Sequence, residues 1–156
     1  MVGLDIADVA VTGDGLVVTL RRSKTDQEGA GRTVGIPYGS DPTTCPVRAT
    51  TGWISAAGLT VGPLFRSITR HGQVQGRLSD WAVAQVVKAA ATGAGLDPTL
   101  YAGHSLRAGL ATAAAQAGVS ERAIMAQTGH KSLPMVRKYI RAGNLFQDNA
   151  AAKVGL

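Results

Sequence analysis

The chain has 156 residues, 45% of them apolar, enough to bury the core of one domain without covalent staples. Its single cysteine, Cys45, excludes an internal disulfide or a cysteine-based metal site, and the histidines at 71, 104 and 130 lack close zinc-ligand spacing. Two Trp, three Tyr and two Phe are too few for a base-stacking surface, whereas a net charge of +6 suggests an acidic polymer as partner.

The first residues, MVGLDIADVAV, carry no basic segment ahead of a long apolar stretch, and no apolar run reaches membrane-spanning length. A cytosolic protein with no membrane partner is expected. Three short β-branched runs, near Val9 to Thr12, Leu16 to Leu20 and Arg32 to Pro37, predict an antiparallel meander. Gly13, Asp14 and Gly15 separate the first two runs. The second connection, RRSKTDQEGAG, is charged and glycine-bearing, so Lys24 is expected to reach outward from an exposed hairpin.

Pro46 at a first helical position and Gly58 at a C-terminal stop bracket one helix, containing Trp53 and Ile54. A glycine-rich basic connection follows, roughly Gly62 to Arg77. Ser79 then caps a helix whose apolar face reads as Trp81, Val83, Val86, Val87 and Ala90, placing Trp53 and Trp81 in the core. Further helices are expected from about Ser105 to Ala117, ended by Gly118; from a Ser120 cap to a stop at Gly129; and from Ser132 and Pro134 through Tyr139. Asn144 is positioned to cap a short amphipathic segment, Leu145 to Val154. Strands first and helices afterwards indicate an α+β domain over residues 1–156, mainly helical with a small N-terminal three-stranded antiparallel sheet.

The charge is uneven. Residues 1–60 carry a net −1 and residues 61–156 a net +7. Arg122, Lys131, Arg137, Lys138 and Arg141 occur with no acid among them, able to neutralise several phosphates, or else simply a solvated face. His104 and Arg107, three apart at a helix start, project toward one target. His130 falls in a glycine turn between two helices, and Tyr139 follows nine residues later among Arg137, Lys138 and Arg141. Phosphodiester transfer needs this inventory: a nucleophilic hydroxyl, cationic donors for the phosphoryl oxygens, and groups that move protons. Tyr38 and Tyr101 read as structural, His71 as a solvated loop residue and Cys45 as a thiol beside a helix start.

The series SKT, HSLRAG, TGHKS and MVRKYIRAG resembles the catalytic domain of the tyrosine recombinases, the phage-integrase family of DNA breaking and rejoining enzymes. The resemblance extends from LDIADV to the C-terminal NLFQDNAAAKVGL, with 26 positions from His104 to His130 and nine more to Tyr139. It implies that Tyr139 is the nucleophile attacking a scissile DNA phosphate, giving a 3′-phosphotyrosyl ester, and that Lys24 is the general acid for the leaving 5′ oxygen. It further implies that Arg107 holds phosphoryl oxygens, with His104 beside it in proton transfer or phosphate contact, and that His130 hydrogen-bonds the phosphate. Lys131, Arg137, Lys138 and Arg141 are then DNA-binding residues on double-stranded DNA. One phosphodiester is exchanged for another, so neither a metal nor any other cofactor is expected. Family members pair on DNA, often by exchanging a C-terminal segment, which makes Leu145 to Leu156 the expected route to a homo-oligomer.

The resemblance also places the family's first active-site arginine, and its separate N-terminal DNA-clamping domain, before Met1. Arg21 and Arg22 do not match that motif. Loss of one preorganised donor costs on the order of 10²–10³ in rate, so the chain as it stands is expected to be catalytically crippled. A different reading takes SERAIMAQTGHKSLPMVRKYIRAG as a helix-turn-helix whose second, basic helix enters a major groove without chemistry. It leaves the spacing of Lys24, His104 and Arg107 unexplained.

Overall fold

A computed structural model of the chain describes residues 2–21 and 31–143, the last three by their backbone alone. The chain divides into two compact units, Met1–Ala82 and Val83–Leu156.

In the first unit, β1 (Val9–Val11), β2 (Gly15–Leu20) and β3 (Arg32–Pro37) pair antiparallel in that order, as the β-branched runs predict. Register sets Val11 opposite Leu16 and Leu20 opposite Arg32. Gly15 has φ +147° and crosses so near β3 that a Cβ there would lie 2.1 Å from the Ile36 carbonyl oxygen. Strand alternation turns Leu16 and Val18 inward. They are buried with Cys45 and Val47, and Leu4, Val9, Leu20 and Ile36 pack around them. Cys45 immediately precedes α1 (Pro46–Ala56), whose first position is the expected proline. The Gly39 N–H donates to Cys45 Sγ at 3.2 Å, so the sulfur is enclosed by backbone as well as by the sheet.

Two arginines of this unit serve its structure. Arg21 Nε pairs with Asp8 at 2.5 Å, satisfying a carboxylate that is only 5% exposed. Arg77 donates to the Leu4 carbonyl at 3.1 Å and pairs with Asp5, fastening the end of a hairpin to the N-terminal segment. That hairpin corrects the expectation of an irregular connection from Gly62 to Arg77: β4 (Arg66–Ile68) and β5 (Val74–Arg77) pair antiparallel there. Its strands are three and four residues long and largely exposed, with no apolar alternation to announce them. Trp53 is half-buried, and its indole N–H donates to the Leu64 carbonyl at 2.8 Å.

The second unit is helical: α2 (Asp80–Gly93, beginning at the end of the first unit), α3 (Gly103–Gln116), α4 (Glu121–Thr128) and α5 (Leu133–Gly143). Ser79 caps α2 as expected, accepting the Ala82 N–H at 3.1 Å. The expected face of α2 is corrected. Val87 and Ala91 are buried, while Trp81 is 72% and Val86 63% exposed. At 100° per residue, Trp81 and Val86 lie roughly 100° or more around the helix from Val87, outside the narrow stripe that packs.

Ala111 and Ala115 of α3, Ile124 of α4 and Val136 of α5 form the core of the helical unit. Two alanines four apart put small side chains on one face of α3, so the neighbouring helices approach closely. Ser120 caps α4, accepting the Ala123 N–H at 3.3 Å. Gly129 closes it in the left-handed region, φ +70°, while its N–H bonds the Met125 carbonyl at 2.7 Å. Lys24 and the segment from Asn144 onward lie outside the described residues. Among those described, no helix is long and apolar enough to cross a membrane.

Candidate active site

Three helices of the second unit each contribute to one cluster. α3 carries Arg107 one turn from its start; the αL glycine after α4 turns the chain so that His130 folds back against the helices; α5 carries Tyr139 in its second turn. Tyr139 also packs against the Ala111–Ile124–Val136 core, which fixes the height of its ring. The ring centroids of His130 and Tyr139 are 5.7 Å apart, with planes tilted by 42°. Arg107 Nε donates to His130 Nε2 at 3.4 Å. Residues 32 positions apart in the chain are thereby gathered on one side of the bundle.

Sequence reasoning missed Thr128. Its hydroxyl lies 2.6 Å from His130 Nδ1 and 2.6 Å from the Ile124 carbonyl. Thr128 and His130 are buried, at 6% and 8% exposure. A threonine at the end of a short helix carries no signal of its own, because bonding the carbonyl four residues back is commonplace. Burial holds the His130 pKa below its ordinary value of 6.5, and the Arg107 guanidinium pushes it the same way. The imidazole is therefore neutral at physiological pH, and both its nitrogens are engaged by groups of this chain. A hydrogen bond from His130 to a phosphate, as the resemblance implies, requires Arg107 to release Nε2 and a proton to reach that nitrogen.

His104 lies three residues before Arg107 on α3, exposed to solvent, and its ring makes no hydrogen bond among the described residues. The predicted basic surface is partly neutralised from within. Arg137 is gripped by Glu121, the residue just ahead of the acid-free run, with Nε 3.1 Å from one carboxylate oxygen and Nη2 3.2 Å from the other. Lys131 and Lys138 are exposed; the Arg141 side chain lies outside the described set. Tyr101 precedes α3 and is half-buried, while His71 is exposed at the tip of the β4–β5 hairpin, accepting from Arg70 Nε at 3.0 Å. Among the described residues, no three of His, Cys, Asp or Glu converge to hold a metal ion.

Comparison with known proteins gives this geometry its context. A model of the phage integrase family matches residues 1–144. An integrase/recombinase XerD homolog of Selenomonas ruminantium is 44% identical over 151 residues, covering 96% of this chain. The chain spans 44% of that relative's length. With the family matched over nearly its whole length and its arginine, histidine and tyrosine motifs drawn into one cluster, the chain belongs to the phage integrase family and carries a tyrosine recombinase domain.

Proposed function

We propose that the tyrosine recombinase domain carried by this chain serves site-specific recombination of double-stranded DNA by transesterification. The Tyr139 phenolic oxygen forms a bond to the scissile phosphorus as the bond to the 5′ oxygen breaks, leaving a 3′-phosphotyrosyl ester. The phenol passes its proton to water, directly or by way of His104, as Lys24 supplies one to the leaving oxygen, so charge and protons balance. Arg107 holds the phosphoryl oxygens through its Nη groups while His130 braces its Nε. His104 moves a proton or touches the phosphate beside it. Attack by a second strand's 5′ hydroxyl reverses the chemistry on a new partner, with bond energy retained. Lys131, Lys138, Arg141 and Arg137, once released from Glu121, line the DNA backbone.

The observation that carries this reading is the nearness of the Tyr139 ring to a histidine that is itself bonded to Arg107. The Arg107 guanidinium and the Tyr139 ring are thus both neighbours of one imidazole, which brings a cationic donor and the side chain of the proposed nucleophile into one cluster. The chain acts in the cytoplasm on the nucleoid, and pairs of chains meet on DNA through Leu145 to Leu156.

A second reading has a specific observation in its favour: α4, the Gly129 turn and α5 make a helix-turn-helix, which as a non-catalytic module would place basic α5 in a major groove. Covalent capture separates the two. The chain, as it stands and with an arginine-bearing helix joined before Met1, is incubated with nicked duplexes of randomised sequence and run on a denaturing gel. A shifted band that Tyr139→Phe abolishes and Tyr101→Phe retains is the expected result. Salt-sensitive binding with no adduct from either form would overturn the enzymatic reading and favour the module.

A further inference from the structure

A threonine hydroxyl has one proton to give and lone pairs to receive. Thr128 lies within 2.6 Å of the Ile124 carbonyl, which can only accept, so its proton goes there. Toward His130 Nδ1, also 2.6 Å away, it has only a lone pair to offer. Nδ1 therefore carries the ring proton, and the hydrogen-bond network assigns the tautomer. Nε2 is left unprotonated, in agreement with the Arg107 Nε–H directed at it. Thr128 and His130 are both nearly enclosed, so water does not readily substitute for either bond.

We infer that Thr128 is a positioning residue of the recombinase site: its hydroxyl locks His130 as the Nδ1–H tautomer, and the freed Nε2 orients Arg107 by its Nε, leaving both Nη groups for the phosphate. The chain of bonds runs from the Ile124 carbonyl through Thr128 and His130 to Arg107, so the end of α4 sets the direction of a guanidinium on α3. The inference rests on the reading of Arg107 as the phosphate clamp. Its structural half, the tautomer, stands apart from any DNA chemistry.

The test is made on the full chain labelled with ¹⁵N-histidine. Long-range ¹H–¹⁵N spectra near neutral pH distinguish a protonated Nδ1 from a protonated Nε2 at His130, with exposed His71 and His104 as internal references. The wild type is expected in the Nδ1–H form, Thr128→Ser likewise, and Thr128→Val as a mixture or as the Nε2–H form with its circular dichroism unchanged. In the covalent-capture assay at saturating DNA, Thr128→Val is expected to form the Tyr139 adduct about 10–100-fold more slowly, as for a misplaced catalytic group, with DNA affinity unaltered. Thr128→Ser should restore the rate. An Nε2–H ring in the wild type overturns the inference without recourse to any variant. So does an unchanged tautomer in Thr128→Val, or a serine variant that behaves as the valine one. If the tautomers follow expectation while no protein forms an adduct, the proposed function fails and the Thr128–His130 lock stands.

Discussion

Shortening Ile124 is the sharpest test of how the second unit holds its site. Ile124 is 2% exposed and meets Ala111, Ala115 and Val136 from two other helices. Ile124→Ala removes three buried carbons, worth about 2.4 kcal/mol at about 0.8 kcal/mol each. The unfilled space raises the cost, toward about 5 kcal/mol if the helices cannot close. Collapse is limited because two of the facing residues are already alanines, with no side chain able to swing into the hole. Ile124→Val removes one carbon and should cost about 0.5–1.5 kcal/mol. At about 0.05–0.15 kcal/mol per residue, the unit from Val83 to Leu156 has about 4–11 kcal/mol of stability, so the alanine variant forfeits a large share of it. Urea unfolding followed by far-ultraviolet circular dichroism measures the difference, since the helices dominate that signal. The His130 ring signals should broaden or shift in the alanine variant, because Thr128 bonds the carbonyl of the altered residue. A loss below about 1 kcal/mol, or one no larger than that of Ile124→Val, would refute the packing argument.

Three further outcomes are expected. Because the folded-state pKa of His130 lies below 6.5, the stability it contributes is complete above about pH 6.5 and is lost as pH falls toward the folded value. The thermal midpoint of the wild type should fall more between about pH 7 and about pH 5 than that of His130→Gln, and parallel curves would contradict the assignment. Glu121→Gln removes the carboxylate that pairs with Arg137; the log–log salt dependence of duplex DNA binding, read by fluorescence anisotropy, should steepen by up to about 0.9, and Arg137→Ala in the same background should cancel the change. An unaltered slope would remove Arg137 from the interface. Gly129→Ala, at φ +70°, should cost about 1–2 kcal/mol in the same urea experiment and disturb the His130 ring signals.

The first three strands and the five α-helices are legible in the sequence because their termini are marked by local chemistry. Ser79 and Ser120 cap where expected, Pro46 opens α1, and Gly129 ends α4. The β4–β5 hairpin is illegible for the opposite reason: seven largely exposed residues around a turn carry no periodicity. Trp81 misleads because size and hydrophobicity argue for burial, whereas the angular position of a residue on its helix decides it. In the site, the motif residues can be named from spacing, since Arg107, His130 and Tyr139 sit at fixed offsets from helix ends. Their electrostatics cannot. That Glu121 occupies Arg137 follows from how α4 packs on α5, and that Thr128 holds His130 from how the Gly129 turn folds the chain back; no pattern within a single helix encodes either.

Cys45 offers a practical opening. The chain contains no other thiol, and this one is wholly enclosed between the sheet and the start of α1, with a backbone amide resting on the sulfur. A maleimide dye offered to the native protein finds nothing to alkylate, so a cysteine introduced at a solvent-facing position would take the label alone, with no need to replace the resident one. The native residue then serves as a clock: the rate at which it becomes alkylated reports how often the β-sheet unit opens.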